Sequence, residues 1–152
     1  MSTGEVSRAL FLAGALPFLF LGIAHLVATP RRPSDRRGLS PFDPAVAATM
    51  AGASVRITRR TTLWLTWVGF NLSHGLGVIL FGVVVLLAGR SDASFTSEAP
   101  VFVPLAVVVS GTYVAIGLRY WFRAPILGCA TSFALFVLSW AFHLASGSRW
   151  VE

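Results

Sequence analysis

The chain has 152 residues, of which 55% are apolar and only 12% are charged, and its mean hydropathy is +0.75. Soluble domains carry about 25% charged residues, so this composition excludes an ordinary water-soluble domain and a disordered chain. A single cysteine, Cys129, excludes a disulfide framework and a paired-thiol redox site. The sequence therefore predicts an integral membrane protein.

Four apolar stretches reach the roughly 20 residues that a helix needs to cross a bilayer. They predict transmembrane helices at 9–28, 63–88, 101–122 and 126–145, and none of them contains Asp or Glu. A lipid-exposed backbone must satisfy its own hydrogen bonds, which favours helices. The expected fold class is all-α: a polytopic membrane four-helix bundle that forms a single domain over residues 1–152.

The segment between the first and second helices has two parts. Thr29 to Pro41 is rich in Pro, Arg, Ser and Gly, which predicts irregular chain. Asp43 followed by Pro44 then signals a helix start. An apolar stripe at helical spacing predicts a short amphipathic helix on the inner membrane surface. Its members are Val46, Met50, Ala53 and Ile57.

Arginine positions predict the orientation, because basic residues near the spans favour the cytoplasmic side. Nine arginines lie in the loop after the first helix and in the turn before the fourth, against three on the opposite side. Those three are Arg8, Arg90 and Arg149. We therefore expect a bacterial inner-membrane protein with both termini, and a loop from Gly89 to Ala99, on the outer side. Since this rule accounts for the net charge of +6, nucleic acid is not an expected partner.

The second helix carries a polar and aromatic face. At 100° per residue, Trp64, Trp67, Asn71 and His74 fall on one side. Polar groups near the middle of a span are costly unless they face the bundle interior, so Asn71 and His74 should be buried and hydrogen-bonded. This face predicts non-catalytic binding of a hydrophobic small molecule or membrane lipid in an intramembrane pocket. The predicted lining is Trp64, Trp67, Phe70, Asn71, His74 and Tyr113.

The opposite face of the second helix is a ridge of small residues, Gly69, Ser73 and Gly77. Such a ridge lets another helix approach closely. The alternative to ligand binding is therefore a structural or assembly subunit that uses this ridge, with a homo-oligomer as its product.

Basic residues at the predicted cytoplasmic mouth are candidates for contact with anionic lipid head groups. Arg56, Arg59 and Arg60 end the predicted amphipathic helix, and Arg119 begins an Arg-Tyr-Trp-Phe run at the inner end of the third helix. A solvated positively charged loop and an interfacial belt with a snorkelling arginine are the alternatives.

The three histidines are predicted to lie at different depths. At about 1.5 Å per residue, His25 lies roughly 10 Å on the cytoplasmic side of the midplane, His74 close to it, and His143 roughly 10 Å on the outer side. A mononuclear metal site or a haem with two axial imidazoles needs two histidines at one level. No metal or cofactor is therefore expected. Haem is the alternative, because a register shift or a kink at Pro17 would bring His25 and His74 closer.

Catalytic groups are sparse. No carboxylate lies inside the predicted spans to orient His74, and Ser73 and His74 are about 100° apart on the helix, so they do not form a nucleophile and base. The sequence favours a protein that is not an enzyme.

The run Ile57–Trp64, the motif Trp-x-x-Trp-x-Gly-Phe-Asn-x-Ser-His that ends at His74, and the run Arg119–Phe122 resemble an uncharacterised family of small bacterial four-helix membrane proteins. That resemblance covers essentially the whole chain and implies the membrane class without an activity. A looser, topological likeness is to the membrane-associated glutathione and eicosanoid enzymes. It implies a glutathione-dependent transferase as the enzyme alternative, although no Glu lies between Glu5 and Glu98 to complete that family's site.

Overall fold

The computed structural model describes residues 1–147 of the protein. Within this range the chain forms five helices and one two-stranded sheet, which confirms the all-α class and fits a helical bundle. Four of these helices are long and apolar enough to cross a membrane. The helices are α1 (Thr3–Ala28), α2 (Pro44–Gly52), α3 (Leu63–Ala88), α4 (Asp92–Tyr120) and α5 (Arg123–Gly147), and the strands are β1 (Ser54–Val55) and β2 (Thr58–Thr62). Arg149, which entered the orientation count, lies outside the described residues.

The predicted bounds of the long helices agree best with the structure where the helix ends at the same residue as its apolar stretch. α3 has the predicted bounds, and α1 ends at Ala28 as predicted. The predicted loop from Gly89 to Ala99 is wrong, because α4 already begins at Asp92. Ser91 caps this start, since its Oγ accepts the backbone N–H of Ser94 at 3.1 Å. The first turns of α4 are polar, so hydropathy alone misses them.

The predicted amphipathic helix is correct in its start and wrong in its length. Asp43 caps α2, and its carboxylate accepts the backbone N–H of Ala45 at 2.8 Å. The helix ends at Gly52, however, and Ala53 is its extended C-cap. Ile57 therefore does not continue the stripe; it lies in the turn of an antiparallel hairpin between β1 and β2.

The hairpin has a physical cause that the sequence contains. Thr58, Thr61 and Thr62 are β-branched, as are Val55 and Ile57, and such residues prefer extended backbone. A backbone hydrogen bond of 2.8 Å from the Leu63 N–H to the Ala53 carbonyl then closes the hairpin where α3 begins.

By its contacts the chain divides into two compact units, residues 1–21 with 79 onwards, and residues 22–78. The core of the first unit is aromatic. Phe11 lies with its ring centroid 5.5 Å from that of Phe95 and 5.8 Å from that of Phe136. Aromatic pairs at such distances add to the stabilisation that apolar burial provides.

A reciprocal pair of hydroxyl contacts joins α1 to α5 within the first unit. The Ser7 Oγ donates to the Ser139 carbonyl at 2.8 Å, and the Ser139 Oγ donates to the Ser7 carbonyl at 2.9 Å. Both side chains are fully buried. We name this pair the serine clasp; it satisfies two hydroxyls that would otherwise be costly in an apolar interior.

Arg8 ties the α3–α4 turn to α1 in the same unit. Its guanidinium donates to the carbonyls of Gly89 and Arg90 at 2.8 and 3.0 Å and pairs with Asp92 at 2.9 Å. The carbonyls at a helix C-terminus have no partners in the helix, so a cation that binds them fixes the end of α3.

In the second unit, the irregular segment after α1 is folded back on the end of that helix. Arg31 donates from its guanidinium to the Leu26 and Thr29 carbonyls, and the Leu39 N–H donates to the Ala28 carbonyl at 3.0 Å. Gly38 permits this turn because its φ is +54°. The segment is irregular, as predicted, and its hydrogen bonds hold it against α1.

Candidate functional site

The polar centre of the second unit is a hydrogen bond between α1 and α3. The Nε2 of His25 lies 2.9 Å from the Oδ1 of Asn71, and the Asn71 Nδ2 donates to the Trp67 carbonyl at 2.7 Å. Asn71 is only 7% exposed. The Asn71 amide therefore donates its N–H within α3 and accepts a hydrogen bond from His25 with its oxygen. This confirms that Asn71 is buried and hydrogen-bonded.

This arrangement fixes the proton on His25. Because the amide oxygen is the group that faces the ring, the His25 Nε2 is the donor and carries the hydrogen. The polar group on α3 is thus satisfied without a carboxylate, and the imidazole orientation is set by its partner.

His74 lies against His25, which corrects the expectation that the histidines do not converge. The two ring centroids are 5.0 Å apart in an edge-to-face arrangement. The predicted depths of the histidines are wrong because they assume that the apolar stretches of α1 and α3 end at the same level. In the second unit Leu26 packs on Gly75, where an added Cβ would lie 2.8 Å from the Leu26 Cδ2, so the end of α1 lies at the level of the middle of α3. His143 belongs to the first unit, where it stacks on Trp140.

Phe70 extends this cluster to the outer surface of α3. Its ring is nearly parallel to that of His74, with centroids 6.1 Å apart, and it is 67% exposed. His74 itself is half-buried. The aromatic side of this face is therefore open at Phe70, and beneath it lies a polar pair of which Asn71 is buried and His25 partly buried.

Trp64 and Trp67 continue the face toward the start of α3, with ring centroids 5.5 Å apart. Trp64 is 2% exposed, and its indole Nε1 has no hydrogen-bond partner among the described atoms. An indole N–H usually finds an acceptor when it is buried, so this donor marks a place where an acceptor would stabilise the protein.

Tyr113 was predicted to line the same face, but it lies on α4 in the first unit. There its ring meets Phe18 edge-to-face at 5.5 Å and Trp121 at 6.0 Å. The structure brings five of the six predicted lining residues together in one unit: Trp64, Trp67, Phe70, Asn71 and His74. It adds His25, which was not among the predicted lining residues. The signal that could have found His25 is the need of Asn71 for a donor on a neighbouring helix.

The predicted head-group arginines lie on two different elements. Arg56 is in the hairpin turn, Arg59 and Arg60 are on β2, and all three are exposed beside Ile57, which is 93% exposed. Arg119 is exposed in the last turn of α4, in the first unit, with its guanidinium 5.6 Å from the Tyr120 ring centre. The expectation that the first three end a helix is wrong, and their common feature is an exposed hairpin.

Asp35, in the segment between α1 and α2, accepts two backbone hydrogen bonds. The backbone N–H groups of Arg32 and Arg31 donate to its carboxylate at 3.0 and 2.8 Å, and these bonds hold the pKa of Asp35 below its ordinary value of 3.8. The neighbouring Arg37 and Arg32 charges act in the same direction.

The small-residue ridge of α3 is open within the chain. A Cβ built on Gly69 or Gly77 would meet no described atom within 4 Å. Close packing against α1 in the second unit uses Gly75 instead, on a different face of the helix.

No group of three or more His, Cys, Asp or Glu side chains in residues 1–147 has the arrangement of a metal site. No protein-family model matches the chain, and no curated protein or solved structure matches it. The geometry of the second unit is therefore the basis on which a function is inferred.

Proposed function

We propose that the protein binds an amphiphilic membrane molecule, a lipid or a hydrophobic compound with a polar group, on the α3 face made by Trp64, Trp67, Phe70 and His74, without catalysing a reaction on it. One observation carries this proposal: His74 is half-buried and stacked on an exposed phenyl ring within an apolar span. Ionisable groups at such positions are expensive and usually serve a function.

The pair of His25 and Asn71 beneath the face supports this function. The hydrogen bond between them and the edge-to-face contact of the two imidazoles orient His74 before any ligand arrives. A binding group that is already oriented loses less entropy when it binds.

The indole N–H of Trp64 supports it independently. Leaving a buried donor without an acceptor costs about 1–3 kcal/mol. Trp64 lies ten residues before His74 on α3, roughly 15 Å along the helix. A ligand that displaces the side chains covering this N–H, places a carbonyl or phosphate oxygen there and lays its apolar body along Trp67 and Phe70 would offset this cost.

The test is native mass spectrometry of the protein released from nanodiscs made with a bacterial polar lipid extract. We expect a stoichiometric adduct on the wild type. His74→Ala should lower its occupancy about 10-fold, which corresponds to roughly 1.4 kcal/mol. Trp64→Phe, which keeps an aromatic ring and removes the N–H, should lower it as well. His143→Ala is the matched control and should leave occupancy unchanged.

A wild-type protein without any adduct would contradict the proposal. So would a His74→Ala protein whose occupancy falls only in proportion to its loss of folded protein in a thermal scan, because that result would make His74 a packing residue.

The second candidate function is assembly through the open ridge of Gly69, Ser73 and Gly77, which no described part of the chain fills at its glycines. Gly77→Leu should then lower the subunit number seen in the same spectra. Ser146→Leu, on α5, is the control for added bulk. A subunit number that is one in the wild type would exclude this candidate.

The proposed location is a bacterial inner membrane, with the hairpin arginines Arg56, Arg59 and Arg60 on the anionic cytoplasmic leaflet and both termini outside. The exposed charges beside Ile57 support contact with such a surface. A Cys129→Ala protein with one new cysteine at Ser2 or at Ile57 tests this in intact spheroplasts. A membrane-impermeant maleimide should label the first and not the second, and the reverse pattern would invert the orientation.

A further inference from the structure

A groove with apolar walls and charged groups lies between the end of α3 and the first turns of α4, both within the first unit. Its volume is about 210 Å³. Val84, Leu87 and Phe102 provide apolar lining, and Arg90, Ser94 and Glu98 provide polar lining. Arg90 lies in the α3–α4 turn, Ser94 and Glu98 lie in the first two turns of α4, and Phe102 lies one turn after Glu98.

The two charged side chains of this groove, Arg90 and Glu98, do not form an ion pair with each other. Within the described residues the one ion pair is that of Arg8 with Asp92, so the Arg90 guanidinium and the Glu98 carboxylate are more than 4 Å apart. Both side chains are exposed. A cation and an anion thus line one groove at separate positions.

The backbone that carries Arg90 is held in place. Its carbonyl accepts from the Arg8 guanidinium at 3.0 Å, and the Gly89 carbonyl accepts from the same group at 2.8 Å. Ser91 caps the start of the helix that carries Glu98. The Arg90 charge is therefore carried by a fixed turn, and the Glu98 charge by the second turn of the capped helix.

We propose that this groove binds one phosphatidylethanolamine molecule, with its phosphate at Arg90, its ammonium at Glu98 and an acyl chain along Leu87, Val84 and Phe102. The head group is a zwitterion, so it meets both charges at once, and its primary ammonium donates hydrogen bonds to a carboxylate. Phosphatidylcholine has no N–H to donate, and phosphatidylglycerol has no cation.

The experiment uses nanodiscs with equal amounts of the three lipids, all with the same acyl chains, and native mass spectrometry of the released protein. We expect wild-type protein to retain phosphatidylethanolamine at least 5-fold over phosphatidylcholine. Glu98→Gln should bring this ratio close to one. Arg90→Gln should lower retention of every phospholipid in the groove. Glu5→Gln and Arg36→Gln change charges outside the groove and should match the wild type.

Equal retention of the three lipids by the wild type would overturn the proposal, since it would show annular lipid only. A preference that survives Glu98→Gln would overturn it too. The site is separate from the Trp64 to His74 face, so His74→Ala should leave the lipid ratio unchanged, and loss of the phosphatidylethanolamine adduct in that variant would assign the lipid to the other face.

Discussion

His25 donates a hydrogen bond from its Nε2 to the Oδ1 of Asn71 across 2.9 Å, and this bond ties the end of α1 to α3 in an apolar environment. Because the Asn71 amide also donates to the Trp67 carbonyl, neither of its polar ends is left without a partner. The pair therefore acts both as a helix-to-helix bond and as the base on which His74 rests.

The first prediction concerns that bond. Asn71→Leu leaves the His25 N–H without its acceptor, so the free energy of unfolding in detergent should fall by about 1–2 kcal/mol. In ¹⁵N spectra of histidine-labelled protein, the proton should reside on Nε2 of His25 in the wild type, and this preference should be lost in the variant. Ser73→Ala, on the exposed side of α3, is the control. A variant as stable as wild type would show that the bond is not formed.

The second prediction concerns the turn that covers the end of α1. Gly38 has a φ of +54°, and a Cβ added there would overlap the Ala28 carbonyl oxygen. Gly38→Ala should therefore cost more than the roughly 1–2 kcal/mol of a left-handed residue alone. Gly52→Ala is the matched control, because nothing lies within 4 Å of its added Cβ. Thermal unfolding should separate the two, and equal midpoints would refute the turn geometry.

A third prediction follows from the serine clasp of Ser7 and Ser139. Each single Ala variant should lose about 0.6–1.7 kcal/mol, the range found for hydrogen bonds between membrane helices. In a double-mutant cycle the two losses should add to within about 0.5 kcal/mol, because each Ala removes one hydroxyl donor and keeps the backbone carbonyl that accepts the other bond. Ser132→Ala is the internal control: its buried Oγ has no partner among the described atoms, so its removal should not destabilise the protein. A coupling well above that limit would mean that the 3.3 Å contact between the two hydroxyls, and not the carbonyl bonds, carries the stabilisation.

The fourth prediction concerns pH. Folding holds the pKa of Asp35 below its ordinary value, so the carboxylate stabilises the segment fully above about pH 4 and loses this effect as pH falls through the folded pKa. Asp35→Asn should therefore be less stable than the wild type at pH 6, and the two should converge as the pH falls through the folded pKa of Asp35. A carboxyl ¹³C titration should give a midpoint below 3.8 for Asp35. A midpoint above that value would contradict the prediction.

The sequence predicted the long helices because their apolar stretches alone determine them, and α3 from Leu63 to Ala88 is the best case. It failed where polar residues continue a helix: Asp92 to Ala99 gives no hydropathy signal, although Ser91 is a recognisable N-cap. The β1–β2 hairpin replaces part of the predicted helix. The apolar spacing of Ala53 and Ile57 fits a helical period, whereas the β-branched residues that follow favour extended backbone.

For the candidate site, helical geometry placed Trp64, Asn71 and His74 on one face, since that depends on α3 alone. The partner of Asn71 depends on how far α1 is displaced along α3, and side-chain packing such as Leu26 on Gly75 sets that displacement. Composition and periodicity contain no information on this displacement, so they do not predict that His25 lies beside Asn71.

The serine clasp has a consequence for biosynthesis. Ser7 and Ser139 are 132 positions apart in the chain, so α1 is synthesised long before its partner on α5 exists. At about 5–20 residues per second, the ribosome needs roughly 7–26 s to bridge that interval. During this time contacts of α1 with α3, such as Leu19 on Gly82, are the ones that the growing chain can form first. The clasp is a late step that locks an arrangement made earlier, and a nascent chain arrested before α5 emerges should retain α1 less firmly than the finished protein does.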